Sequence, residues 1–166
     1  MPRFFVPSDA LNGETVTVAG DDAGHIARVL RMGPGDTLVA VTPDGEEYQV
    51  EITVAGPGRV CGRIVRRLQR QVEPPVRVNL VQGLPKGDKM ELIIQKCTEL
   101  GLARIIPAET ERSIVRLDPR KAEGRRERWQ KIAREAAEQS GRTAVPEVAS
   151  VTDLAGALRM FGDERQ

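Results

Sequence analysis

The sequence predicts a chain in two parts: a β-rich domain over residues 1–70 and an α/β domain over residues 74–166. Three observations carry this division. Short alternations of apolar and polar residues, separated by turn signals, fill the first part. Pro74-Pro75 ends regular structure at the junction, with Gln69–Pro75 as the linker. From Val76 the order becomes strand, helix, strand, helix, and that order implies a parallel sheet.

Each element of the first part has a local reason. Candidate strands are Phe4–Val6, Thr15–Ala19, Thr37–Thr42, Glu47–Ala55 and Arg59–Arg67. Pro43-Asp44-Gly45 and Gly56-Pro57-Gly58 are the turns between the last three. One short helix interrupts them: Asp21 or Asp22 caps it, Ile26, Val29 and Leu30 form its buried stripe, and Gly33-Pro34 stops it. Short strands at regular spacing with one helix suggest a small, partly closed barrel.

The second part opens with a strand, Val76–Gln82. A helix follows from Asp88, with Glu91 at capping-box spacing. Met90, Ile93, Ile94, Cys97 and Leu100 recur on one face, and Gly101 takes the left-handed end position. Arg104–Pro107 is the next strand. A long helix near Pro119–Ser140 turns Trp129, Ile132, Ala133 and Ala136 inward and Gln130, Lys131, Arg134 and Glu138 outward, with Gly141 at its end. Asp153 caps a last helix through Met160. The loop Lys86–Lys89 and the loop Thr110–Ser113 fall at one end of this unit, where open α/β sheets gather ligand contacts.

Composition excludes several classes. With 40% hydrophobic and 30% charged residues the chain is globular, and it holds no apolar run long enough to span a membrane. MPRFFVPSDALNG lacks the apolar core of a signal peptide. Cys61 and Cys97 read as reduced core thiols of a cytoplasmic protein, and with His25 the single histidine there is no ligand set for a metal. His25 itself reads as a packing or surface residue.

The net charge of +1 hides segregation. Residues 1–58 are net −6, residues 59–70 net +5 with five arginines and no acid, and residues 112–142 net +5. Arginine-rich segments suit bidentate phosphate contact, so the charge suggests a polyanion partner. With 3% aromatic residues, binding would rest on phosphates and shape more than on stacking platforms.

Several stretches together resemble one family. LPKGDKMELIIQKCTELG, TERSIVR and RWQKIAREAAEQSGRTAVPEV look like the first half of the catalytic domain of the small-subunit ribosomal RNA uridine N3-methyltransferases, the RsmE family. RFFVPSDALNG and HIARVLRMGPGD look like its PUA-like RNA-binding barrel. The resemblance covers nearly the whole chain. It implies a SPOUT-type α/β methyltransferase with a trefoil knot, S-adenosylmethionine as methyl donor, 16S rRNA or the small ribosomal subunit as partner, no DNA or membrane partner, and a homodimer for the full-length protein. Family members continue past this C-terminus with the glycine-rich loops that form the knot. The cofactor site is therefore expected beyond Gln166, with no cofactor-binding residue in this chain. These residues alone are expected to bind S-adenosylmethionine weakly or not at all. The alternative is a non-catalytic RNA-binding module. A smaller departure is Gly24, where many members carry a second histidine.

The resemblance also points to site residues. Arg28, Arg31, Lys86, Lys89, Arg116 and Gln139 are expected at the RNA. Methylating uridine N3 needs removal of its proton and stabilisation of charge on the neighbouring carbonyl oxygens. Glu135 with Arg142, or Glu111 with Arg112, would fit that chemistry. The plain readings stay open: a polar helix face for the first pair, a mutual ion pair for the second.

Overall fold

A computed structural model describes residues 1–111 and 118–162 of the chain. The chain divides into two compact units, Met1–Val72 and Glu73–Gln166.

The first unit is a six-stranded mixed sheet of β1 (Arg3–Phe5), β2 (Leu11–Asn12), β3 (Thr15–Ala19), β4 (Thr37–Val41), β5 (Glu47–Gly56) and β6 (Arg59–Leu68). Its order is β1-β4-β5-β6-β3-β2. Alternate residues such as Val16 and Val18, Leu38 and Ala40, and Val50 and Ile52 fill one core with Phe4 and Ile26. Gly62 sits where β5 and β6 approach closely: a Cβ there would lie 2.8 Å from Glu51 O.

The short helix α1 (Gly20–Gly24) continues as one π-helical turn, His25–Val29. That turn corrects the expected stripe. Ile26 is fully buried, but Val29 and Leu30 are 66% and 38% exposed. An i, i+3, i+4 stripe assumes 3.6 residues per turn, whereas Leu30 N–H here donates five residues back to His25 O, at 3.0 Å. The helix also ends earlier than Gly33-Pro34. Arg31 takes the left-handed conformation, φ 54°, and Met32 N–H donates to Ile26 O.

The second unit is a parallel sheet. β7 (Asn79–Gly83) pairs with β8 (Arg104–Glu109), and β8 pairs on its other side with β9 (Glu147–Val148) and β10 (Thr152–Asp153). The first strand starts at Asn79 rather than Val76: its register with β8 begins at Asn79 opposite Arg104, one residue after the Ala103 N–H that donates to Val78 O at 2.8 Å. Pro107 explains why the third strand is broken. It lies inside a strand paired on both sides and has no N–H to give. The partner chain matches β8 with an offset of 43 residues at Arg104↔Glu147. The offset becomes 44 at Ala108↔Thr152, one extra residue inserted beside the proline.

Both faces of this sheet are covered, as parallel sheets require. Helices α2 (Lys89–Glu99) and α3 (Pro119–Ser140) cover one face through Met90, Ile94, Trp129 and Ala133 against Ile105 and Val148. Helix α4 (Leu154–Gly162) covers the other through Ala157 against Ile106. Asp153 caps α4, accepting from Gly156 N–H at 2.6 Å. Gly101 and Gly141 end α2 and α3 at φ 94° and 77°.

Three details differ from the sequence reading. Asp88 does not cap α2 with its side chain; its backbone, φ −89° and ψ 9°, is not the extended one an N-cap needs. Leu100 is 76% exposed, and Thr98 is buried instead. Gln130 does not face out. Its amide donates to Pro146 O and its oxygen accepts from Val148 N–H, which ties α3 to β9.

Candidate nucleic-acid interface

The arginine-rich strand is the first place to look for a polyanion site, and the register of the hairpin corrects that expectation. β5 and β6 are antiparallel, so the acids of one face the bases of the other. Arg63 meets Glu51 at 3.1 Å, Arg67 pairs with Glu46, and Arg66 Nε donates to Gln49 Oε1 at 2.8 Å. Arg70 grips the buried Glu47 with two hydrogen bonds, of 3.2 and 2.6 Å, and Arg3 pairs with the same carboxylate. The +5 segment is thus largely a cross-strand charge ladder, a stabilising pattern worth about 0.2–1 kcal/mol per exposed pair.

Arg28 and Arg31 behave differently. Both are exposed, and neither has a carboxylate partner among the described residues. They do not share a helix face as expected, because Arg31 lies past the helix end in the left-handed region. Arg28 folds over Gly24, where a Cβ would come within 2.6 Å of its Nη2. The lack of a side chain at Gly24 therefore makes room for this guanidinium.

In the second unit, Lys86 and Lys89 are exposed at the N-terminal end of α2, again without a carboxylate partner among the described residues. A helix start favours anions. The adjoining loop is the one after β8: Leu84 N–H donates to Ala108 O at 3.0 Å, and a Cβ on Gly83 would lie 3.5 Å from Thr110 Cγ2. Glu111, exposed, belongs to this end of the sheet. Arg112 and Arg116 lie outside the described residues.

Glu135, Gln139 and Arg142 fall elsewhere. The helices α2 and α3 run in the same direction: Glu91 in the first turn of α2 meets Arg128 in the middle of α3 at 2.9 Å, and Arg142, just past the end of α3, reaches Thr98 O near the end of α2 at 3.2 Å. Glu135 and Gln139 line a groove between the helices with Glu91, Gln95 and Glu99, so their neighbours include carboxylates.

Arg142 is a correction. It is 6% exposed, at the opposite end of the unit from Lys86 and Lys89. It donates to Glu73 Oε2 at 2.5 Å and to the carbonyls of Thr98 and Leu102. Its guanidinium is spent on holding the fold and is not available to a substrate. Glu73, which the sequence reading passed over, accepts from Arg142 and from the N–H groups of Thr143 and Ala144. Burial pushes its carboxyl pKa up, but these donors outweigh burial and hold it below the usual carboxylate value. Arg70 and Arg77 lie nearer to Glu73 in sequence than Arg142 does, so no local pattern marks this pairing.

No helix among the described residues is long and apolar enough to cross a membrane. No group of three or more His, Cys, Asp or Glu among them could hold a metal ion.

The family model for an RNA methyltransferase PUA domain matches residues 18–65, and that for an RNA methyltransferase domain matches residues 72–165. Ribosomal RNA small subunit methyltransferase E of Bacillus subtilis is 40% identical over 98% of this chain. Its Synechocystis counterpart is 34% identical over 89% of the chain. The crystal structure of the Neisseria gonorrhoeae methyltransferase E bound to S-adenosyl methionine superposes with a TM-score of 0.86, at 35% identity over 95% of this chain. The chain spans 65% of the Bacillus protein, 47% of the Synechocystis protein and 65% of the Neisseria chain. A PUA-like unit followed by an α/β unit matched over more than half of the chain places it in the RNA methyltransferase family.

Proposed function

We propose that this chain belongs to a cytoplasmic 16S rRNA uridine N3-methyltransferase that uses S-adenosylmethionine and works as a homodimer on the small ribosomal subunit. The observation that carries the reading is the 40% identity to the Bacillus enzyme across both units. The placement of free cations supports it. Arg28 and Arg31 on the first unit and Lys86 and Lys89 on the second are exposed, unlike the paired arginines of β6.

The chemistry needs a base at uridine N3 and donors at the flanking oxygens. Glu111 is the better candidate base, since it lies in the loop beside Lys86 and Lys89, with Arg112 next to it in sequence. The lysines would hold phosphates, and a guanidinium would stabilise charge on O2 or O4 as the proton leaves. Glu135 is the weaker candidate, because Glu91 and Glu99 line the same groove. Gln139 and Arg116 remain proposed RNA contacts.

The groove at the carboxyl ends of the strands is lined by Glu109, Ala122, Glu123, Ser150, Val151, Thr152 and Asp153. This lining does not fit S-adenosylmethionine: adenine needs an apolar slot and the methionine carboxylate needs cationic or N–H partners, while three of these residues are acids. We derive no step through the cofactor here and place its site outside this groove. The test is nucleoside mass spectrometry of 16S rRNA from cells with and without the gene. Loss of N3-methyluridine on deletion and its return on complementation is expected; an unchanged level would reject the assignment.

A further inference from the structure

We propose that Val29 and Leu30 form an apolar wedge that packs against unstacked bases of RNA, with Arg28 and Arg31 gripping phosphates on either side. The inference rests on the RNA reading above and adds a mode of contact to it. Val29 and Leu30 are two adjacent large aliphatic side chains at the end of a turn, Val29 largely exposed at 66% and Leu30 partly exposed at 38%. Scattered exposed aliphatics need no explanation, but these two stand between two exposed arginines without carboxylate partners among the described residues.

The backbone that presents them is unusual in two ways. His25–Val29 winds as a π-helical turn, a form that recurs at functional sites. Arg31 is the one non-glycine residue with positive φ among the described residues, in a region where arginine is disfavoured. The turn is also held firmly. Ile26 is fully buried beneath it, Leu30 and Met32 N–H close onto His25 O and Ile26 O, and His25 packs edge-on to Phe4 at 6.1 Å between ring centroids. A rigid turn with its apolar pair outward suits insertion against bases, as aliphatic wedges do in other nucleic-acid complexes.

The surrounding charge favours RNA as the occupant. On the neighbouring hairpin Arg63, Arg66 and Arg67 are matched by acids and a glutamine, and Arg59 reaches only Thr17 Oγ1 at 3.4 Å, so Arg28 and Arg31 are two of this unit's exposed arginines that no carboxylate engages among the described residues. Residues 18–65 are also the part matched by the PUA domain model.

The test compares the full chain with Val29→Ser/Leu30→Ser and with Arg28→Gln/Arg31→Gln. Binding is measured to an RNA hairpin with an unpaired loop and to a fully paired RNA duplex, over a range of salt. Removing the wedge is expected to weaken hairpin binding about tenfold, with the salt slope, the duplex affinity and the thermal midpoint unchanged. The arginine variant is expected to lower the salt slope for both RNAs. Wild-type hairpin affinity in the serine variant would overturn the wedge while leaving the RNA reading intact. No binding by wild type to either RNA would overturn both. Wedge-dependent binding to anionic phosphatidylglycerol vesicles, without effect on RNA, would assign the pair to a membrane and overturn the proposal.

Discussion

Arg142 and Glu73, 69 residues apart in sequence, meet at 2.5 Å and join the segment just past α3 to the first residue of the α/β unit. The same guanidinium caps the carbonyls of Thr98 and Leu102, which end α2. Its side chain is 7% exposed and that of Glu73 is 29% exposed. Removing either partner would leave the other half-buried without its counter-charge. Glu73→Ala or Arg142→Ala should destabilise the protein by about 2–3 kcal/mol in denaturant melts. RNA affinity of the folded fraction should be unchanged. A loss of affinity without a loss of stability would return Arg142 to the binding site.

The same pair sets a pH dependence. The carboxyl of Glu73 has its folded pKa lowered from 4.5. A group depressed on folding contributes its full stability above the unfolded value and loses it as pH falls through the folded one. Wild type should therefore lose more stability than Glu73→Gln between neutral pH and the range below 4.5. Equal losses in the two proteins would show that Glu73 does not contribute.

Gly101 tests how closely the unit is built. It has φ 94°, and a Cβ there would lie 2.4 Å from Pro74 Cγ. Gly101→Ala combines the left-handed cost, about 1–2 kcal/mol, with displacement of the proline. The thermal midpoint should fall by several degrees. An unchanged midpoint would mean that the Pro74 segment moves freely.

Arg31 separates binding from stability. Arg31→Gly removes an arginine from the left-handed region, so stability should stay within about 1 kcal/mol of wild type. RNA affinity should fall and the salt slope should drop by about one. A clear destabilisation with unchanged binding would make Arg31 a structural residue.

What could be read from the sequence depended on whether the determining partner was local. Gly101, Gly141 and Asp153 end or cap their helices through their own neighbours, so they were legible. The six-residue span of β8 was underestimated, and the break it causes opposite Pro107 depends on a strand about 40 residues away. The partners of Arg63, Arg66 and Arg67 are Glu51, Gln49 and Glu46, brought opposite by the register of the hairpin and not by nearness in sequence. Leu100 was placed in the core and Thr98 was passed over because helix periodicity gives a stripe but not its centre. The centre is fixed by packing on α3, and Arg142, just past its end, binds Thr98 O. In the candidate site, Lys86, Lys89 and Glu111 were brought to one end by chain order alone, whereas Arg142 was lost to a partner in the linker that no local pattern announced.

The most direct test of the account is the salt dependence of RNA binding in two sets of variants. On the proposed reading the unpaired cations contact RNA and the paired ones hold the fold. Arg28→Gln/Arg31→Gln should lower the slope of log affinity against log salt by about 1.5, the value expected for two lost phosphate contacts. Arg63→Gln/Arg66→Gln/Arg67→Gln should change it by less than about 0.5, since those side chains are already satisfied across the hairpin. The reverse result, a steep loss from the β6 variants and none from Arg28 and Arg31, would contradict the account.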